Sequence, residues 1–346
     1  MATISHRYIR DILSKYHLFN PESSLEHGLP DEITLFWQTG LFDSFLGVDD
    51  VPIHYAQFIQ EKAEIPTIVI VPGRCESYLK YQELSYDLYR QGYNIFIIDH
   101  RGQGLSGRML PSPNKGYVNK FQDYVDDLQY FIENIVAPKS SVKPYLLAHS
   151  MGGAIAIRFM QDSPNAIKAA VISSPMLGFY SGLLPKCIAK ILVAIKLKFN
   201  NIISNTPWYF LGQKDYSPVS FQENRLTHSK KRYQYFVDVY KKNNTIQLGG
   251  VTTHWLAQSI AAQKEIFAKI TQLKTPILLL QASGDIVVCQ QAQSDFCQQL
   301  HTLQPQSCPH GVPVKIDNAY HELFFEIDNH RSSAIIQSLA WFKQHN

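Results

Sequence analysis

The chain has no early stretch that joins a basic start to an uninterrupted apolar run, and no apolar run of about 20 residues anywhere. Neither a secretory leader nor a membrane-spanning helix is therefore expected, and the mature chain is expected to begin at or near Met1. Cysteine is scarce: Cys75, Cys187, Cys289, Cys297 and Cys308 are odd in number, scattered, and without a CxxC spacing. That argues against a disulfide framework and for a reducing compartment, with the cytoplasm as the expected location. No internal repeat and no low-complexity tract interrupts the 346 residues, which suffice for one large domain with an insertion or for two ordinary ones.

Net charge is also small, at +3, but it is unevenly spread. Between Met176 and Ala268 twelve Lys and Arg stand against four Asp and Glu, a local +8, so the remainder carries −5. A basic segment can face anionic lipid or nucleic acid, or can simply be solvated surface.

What is present centres on residues 144–160, PYLLAHSMGGAIAIRFM. Tyr145–His149 reads as a buried strand, Ser150 follows alone, and Gly152 and Gly153 open an apolar helix. A serine at such a turn is strained, and its neighbours two residues away must be small; Ala148 and Gly152 both are. The pattern fits a nucleophile elbow, with the bland alternative that Ser150 merely caps the helix.

Strand and helix alternate around this stretch. An antiparallel hairpin is expected over Leu41–Gln60, flanking Asp49 and Asp50. Strands are then expected at Thr67–Val71, Asn94–Ile98 and Ile167–Ser173, and helices at Tyr78–Gln91 and Phe121–Val136. After Pro175 the rhythm breaks into helical patterns, notably Leu184–Phe199 with Ile188, Ile191, Leu192 and Ile195 on one side. It resumes with strand Pro276–Leu280, helix Gln291–Leu300, strand Val312–Ile316 and helix Ser332–Phe342. A further, peripheral helix is expected over Ile4–Phe19. The fold class is α/β, a mostly parallel central sheet with helices on both faces. Residues 1–175 and 270–346 are expected to form its core, and 176–269 an inserted, mainly helical, basic cap.

A serine hydroxyl needs a base, and the base an acid that fixes its tautomer. Strand Pro276–Leu280 runs into a small-residue loop ending at Asp285, and strand Val312–Ile316 runs into a loop ending at His321. The carboxyl ends of parallel strands share one edge, so Ser150, Asp285 and His321 can converge, in the chain order Ser, Asp, His of α/β-hydrolases. Asp317 is a rival acid, close to His321 in sequence, and Asp285 could serve only to turn its loop. His149 is expected to point away from Ser150 and pack beneath it. Two amides could hold an oxyanion: that of Met151 after the nucleophile, and that of Arg74 after Gly73. The Arg74 side chain could meet a phosphate or carboxylate at the mouth, or face outward; Cys75 lacks a base in any recognisable arrangement.

Two further motifs mislead. Gly102, Gly104 and Gly107 match GxGxxG after a strand, but Pro111 and Pro113 prevent a phosphate-binding helix from opening there, so no nucleotide cofactor is expected. His321-Glu322 begins a zinc-helix pattern whose last ligand position is Phe325. Cys297, His301, Cys308 and His310 lack ligand spacing, and no metal is expected.

The stretches PGRCESYLKYQEL, IIDHRGQGLSGR, YVDDLQYF, LLAHSMGGAIA and AYHELFFE, in this order, resemble the α/β-hydrolases of the monoacylglycerol-lipase-like branch, most closely its bacterial membrane-associated lysophospholipases. The likeness runs from about Phe42 to the C-terminus and includes THSKKRY and GGVTTHW in the inserted segment. Pro72, where relatives often carry His, and Ala148, where they carry Gly, are departures. The resemblance implies hydrolysis of the remaining acyl ester of a lysophospholipid, with acyl transfer to another lipid as an option and no cofactor or metal. The expected enzyme is a serine carboxylic-ester hydrolase on the cytoplasmic side, peripheral to an anionic membrane through its basic cap. The alternatives are a monoacylglycerol lipase, a short-chain esterase, a serine aminopeptidase or a non-catalytic lipid-binding protein. Nucleic-acid binding, suggested only by Lys230-Lys231-Arg232, lacks a motif.

Overall fold

Short runs of β-branched and aromatic residues set the architecture in a computed structural model that describes residues 19–26, 28–61, 64–180 and 186–346. The helix expected over residues 4–19 lies outside the described residues except for Phe19. The strands are β1 (Leu41–Leu46), β2 (Pro52–Phe58), β3 (Thr67–Val71), β4 (Asn94–Ile98), β5 (Tyr145–His149), β6 (Ala170–Ser173), β7 (Ile277–Ala282) and β8 (Val314–Ile316). They form one sheet in the order β1-β2-β4-β3-β5-β6-β7-β8. Strand β2 runs antiparallel to β1 and to β4, and all later pairs are parallel. The β1–β2 hairpin turns at Asp49 and Asp50, both left-handed at φ 55° and 56°, a conformation that short polar side chains tolerate.

The helices, in chain order, are α1 (Asp31–Gln38), α2 (Gln82–Arg90), α3 (Phe121–Tyr130), α4 (Met151–Asp162), α5 (Lys186–Ile203), α6 (Lys230–Lys242), α7 (Thr253–Ala268), α8 (Gln290–Leu303) and α9 (Asp328–Gln344). Every residue of β3, β4 and β5 is buried, because helices cover both faces. The period of two sorts their side chains: Val69, Phe96 and Leu146 join a core with α3, α4 and α7, whereas Ile68, Ile97 and Leu147 join one with α2 and α9.

Element ends move from the expected positions where local chemistry intervenes. Strand β8 starts at Val314, after Pro313, which has no N–H for a ladder bond. The α3 pattern expected to reach Val136 does so by changing to a wider π-type turn over Phe131–Val136. Helix α7 belongs by sequence to the inserted stretch, yet it packs on α3 and α4, and Trp255, Ala262 and Ile266 enter the main core. Helices α5 and α6, by contrast, sit over the carboxyl ends of the strands, where residues of both line a cavity together with Ser150.

Candidate active site

Ser150 joins β5 to α4 at φ 52°, a left-handed value that a serine holds only under constraint. The constraint is close packing. A Cβ on Gly152 would lie 2.2 Å from the Val71 carbonyl and 2.3 Å from that of Pro72, so the turn closes only with glycine there. Ala148, at the other flank, is fully buried.

Three loops at the carboxyl edge bring their side chains together. His321 Nε2 lies 2.9 Å from Ser150 Oγ, and His321 Nδ1 lies 2.7 Å from Asp285 Oδ2. The other carboxylate oxygen, Oδ1, accepts the Val287 amide at 2.7 Å and the Val288 amide at 3.3 Å, which fixes the plane of Asp285. All three residues are buried. Asp317, the rival acid, is exposed on the turn before His321. The chain thus brings the expected nucleophile, base and acid into one hydrogen-bonded line, Ser150–His321–Asp285.

The loop after β3 abuts this line. A Cβ on Gly73 would lie 2.8 Å from His149 Nδ1 and 3.2 Å from Ser150 Cβ, so the backbone passes where a side chain could not. Met151 is the first residue of α4, where an amide has no intrahelical acceptor, and neither it nor the Arg74 amide has a hydrogen-bond acceptor among the described residues. Both are free to point at developing negative charge. The Arg74 side chain is neither outward nor unattached: its guanidinium donates to the Gly249 carbonyl and lies 5.4 Å from the Trp255 ring.

Sequence reasoning missed what lies beneath. Glu76 is buried, and its carboxylate accepts the Gly73 amide, the Tyr81 hydroxyl and, at 2.8 Å, Lys80. Lys80 in turn pairs with Glu322 at 2.7 Å, and His149 Nδ1 lies 3.2 Å from Glu76. The other nitrogen of His149 lies 3.3 Å from the His321 carbonyl, so His149 packs under the site as expected. Burial pushes the Glu76 pKa up, but Lys80 and His149 outweigh it and hold the carboxylate well below its ordinary range. Burial likewise pushes His149 down, and Glu76 outweighs it, so the imidazole stays protonated to higher pH. The available signals were the Glu76–Lys80 spacing of four and the Glu322 that follows His321; neither says that the charges are buried together.

The remaining motifs resolve as turns. Gly102 and Gly104 have φ 76° and 54° in the loop after β4, and no helix opens there. A Cβ on Gly104 would meet the Asp99 carboxylate at 2.1 Å, which already accepts from Ser77, Tyr78 and Leu105. Burial raises the Cys75 thiol pKa, opposite to what a nucleophile needs. His228, Glu326 and His330 have side-chain atoms within 4.8 Å of one another, but Glu326 already accepts the amides of His228, Tyr320 and Ile327. Arg232, part of the basic triplet, is buried against Glu83 at 2.8 Å and is not a surface charge.

Above Ser150 opens a cavity of about 1040 Å³, walled by Leu177, Leu192, Phe210, Trp255, Leu256 and Phe267. It is large enough for a lipid-sized ligand and chiefly apolar.

The mixed sheet, the strand–serine–helix turn and the Ser, Asp, His order define an α/β-hydrolase. The chain belongs to the family described as serine aminopeptidase, S33 (Hydrolase_4), whose model matches residues 63–328, and it is a hydrolase. It is 39% identical over 314 residues to lysophospholipase L2 of Escherichia coli (strain K12), covering 91% of each chain. It is 35% identical over 291 residues to probable lysophospholipase L2 of Haemophilus influenzae, covering 84% of this chain and 88% of the relative. Among solved structures, the monoacylglycerol lipase of Paleococcus ferrophilus matches with a TM-score of 0.64 at 19% identity over 85% of this chain and 99% of that one, a likeness of fold.

Proposed function

We propose that this protein is a serine hydrolase that cleaves the acyl ester of lysophospholipids. Ser150 Oγ attacks the acyl carbonyl while His321 takes its proton and returns it to the departing glycerol oxygen; water, giving its proton to His321, then attacks the acyl-Ser150 ester and releases the fatty acid as the proton returns to Oγ. Asp285 orients the imidazole, and the amides of Arg74 and Met151 hold the tetrahedral oxyanion. No step calls on a metal or cofactor. Residues 19–175 and 270–346, together with α7, serve as the hydrolase core, and the remainder of 176–269 as the inserted segment that encloses the substrate.

The observation that carries this reading is the hydrogen-bonded line Ser150–His321–Asp285 at the floor of a large apolar cavity. An acyl chain buried there gains roughly 0.8 kcal/mol per methylene. The lysophospholipase names of the two bacterial relatives support the substrate class. Monoglyceride lipase of Rattus norvegicus, 26% identical over 275 residues, makes a neutral monoacyl ester the principal alternative.

The same reading places the enzyme at the inner face of an anionic membrane. No helix among the described residues is long and apolar enough to cross a bilayer. Helix α5, however, exposes Ile191, Leu192, Ile195, Phe199, Ile202 and Ile203, and Leu192 also lines the cavity. An apolar stripe beside the entrance, on a segment of charge +8, suits a face dipped into lipid headgroups. Hydrolysis of a purified panel of lysophospholipids, monoacylglycerols and soluble esters, with products identified, is the test. Rapid release of fatty acid from lysophospholipid is expected, and an inert lysophospholipid beside a cleaved monoacylglycerol would replace the substrate assignment.

A further inference from the structure

The inserted segment touches the loop that carries the Arg74 amide at two successive residues. Cys75 is one of the few non-glycine residues with positive φ, at 60°, a conformation an L side chain leaves unless held. What holds it comes from across the cavity. Its carbonyl accepts the hydroxyl of Tyr240 on α6, and its thiol lies 3.6 Å from the Leu248 carbonyl. Arg74 donates to the carbonyl of Gly249, and that stretch is itself fixed to the core where the Gly116 amide donates to Gly250 at 2.9 Å. A Cβ on Gly116 would lie 2.7 Å from Arg74 Nη2, so the guanidinium packs directly against the Gly116 backbone. Tyr240 is buried and packs against Phe236 at 4.4 Å and Tyr216 at 5.6 Å, which leaves its hydroxyl little choice of direction.

From the core side the loop is held differently. Gly73 is bonded through its amide to Glu76 and through its carbonyl to Gln103 Nε2 at 2.7 Å, and Gln103 also reaches the Glu76 carbonyl at 3.0 Å. Residues 73 and 76 are thus fixed by the core. Arg74 and Cys75, between them, bond to each other through the guanidinium and the thiol, and otherwise reach the insertion at Gly249, Leu248 and Tyr240.

We infer that the inserted segment sets the oxyanion hole as well as enclosing the substrate: Tyr240 is a positioning residue that keeps Cys75 left-handed and so keeps the Arg74 amide aimed above Ser150. The inference rests on the proposed role of the Arg74 amide. It follows that loss of the Tyr240 contact loosens transition-state stabilisation while the Ser150–His321–Asp285 bonds, to which Tyr240 contributes nothing, stay in place. The cavity wall and the oxyanion donor then act as one unit, and the site is complete only when the insertion is seated.

Tyr240→Phe keeps the aromatic packing and removes the hydroxyl. Expected is a fall in kcat of about tenfold, part of the 10²–10³ that a whole oxyanion donor supplies, with KM unchanged. A long-chain trifluoromethyl ketone, which forms the tetrahedral adduct, should lose affinity by the same factor, while a non-hydrolysable ether analogue of lysophospholipid binds as before. Because glycine adopts φ near 60° unaided, adding Cys75→Gly to Tyr240→Phe should recover most of the loss. Arg74→Met, which keeps the amide but frees the Gly249 carbonyl, should show the same split between kcat and KM and serves if Tyr240→Phe does not fold. If both variants fold and keep kcat and ketone affinity within twofold of the parent while Ser150→Ala is inactive, the positioning role is wrong and the hydrolase reading stands. An active Ser150→Ala would instead remove the reading on which the inference rests.

Discussion

Ser150 combines a hydroxyl, an adjacent imidazole and a strained backbone, and single substitutions there separate chemistry from stability. Ser150→Ala removes only the hydroxyl, so the fold should persist while ester turnover falls by about a million-fold, read by fatty-acid release and by loss of fluorophosphonate labelling. Glu76 is the opposite kind of residue. Its carboxylate takes Gly73, Tyr81, Lys80 and His149 at once, and an amide in its place would turn an NH₂ toward donors and leave Lys80 half-paired. Glu76→Gln should therefore cost roughly 3–5 kcal/mol in denaturant unfolding, as breaking a buried ion pair from one side does. A loss under 1 kcal/mol would show that the charges beneath the site are solvated.

At the scale of elements, periodicity reveals an apolar face but not what covers it. The sequence puts Ile191, Leu192 and Ile195 on one side of a helix, and in α5 that side is exposed while Val193, off it, is buried. If the stripe meets lipid, Ile195→Asp with Phe199→Asp should weaken co-sedimentation with phosphatidylglycerol vesicles by tenfold or more, since each side chain contributes about 1.5–3 kcal/mol when buried. Turnover of a soluble butyrate ester should stay within twofold of the parent, because neither residue lines the cavity. Unchanged vesicle binding would move the membrane contact elsewhere. The segment between β6 and β7 also divides, with α7 in the main core and α5 and α6 over the strand ends, a split that composition alone does not mark.

Across the whole molecule, buried ionisable groups set how stability follows pH. Burial lowers His100 to about 4, although its Nε2 reaches the Pro72 carbonyl at 3.0 Å. The unfolded imidazole binds its proton near 6.5, so the stability carried by the neutral ring is whole above that pH and is lost as pH falls toward 4. Glu76, whose pKa is depressed on balance, adds a loss in the same direction below its ordinary value of 4.5. Asp99 opposes both: burial raises it to about 7, so its destabilising contribution is absent below its ordinary value of 3.8 and grows as pH rises to 7. In urea midpoints at pH 7.5 and 4.5, His100→Gln should raise the pH 4.5 midpoint relative to the pH 7.5 midpoint, compared with the parent. An unchanged difference would mean that the ring takes up its proton at the same pH in the folded and the unfolded chain.

Much of this protein was determined along the chain itself. The alternation of strand and helix, the small residues around Ser150, and loops ending in Asp285 and His321 are all local, set by side-chain period and by how little room a tight turn leaves. Their order in a parallel sheet then puts all three loops at one edge. Only the tertiary structure decided which buried charges share a partner, which face of α5 stays uncovered, and that the hydroxyl of Tyr240, 165 residues away, meets the Cys75 carbonyl in the loop beside Ser150. Those outcomes depend on packing between segments distant in sequence, and a residue's own pattern carries no record of what will lie against it.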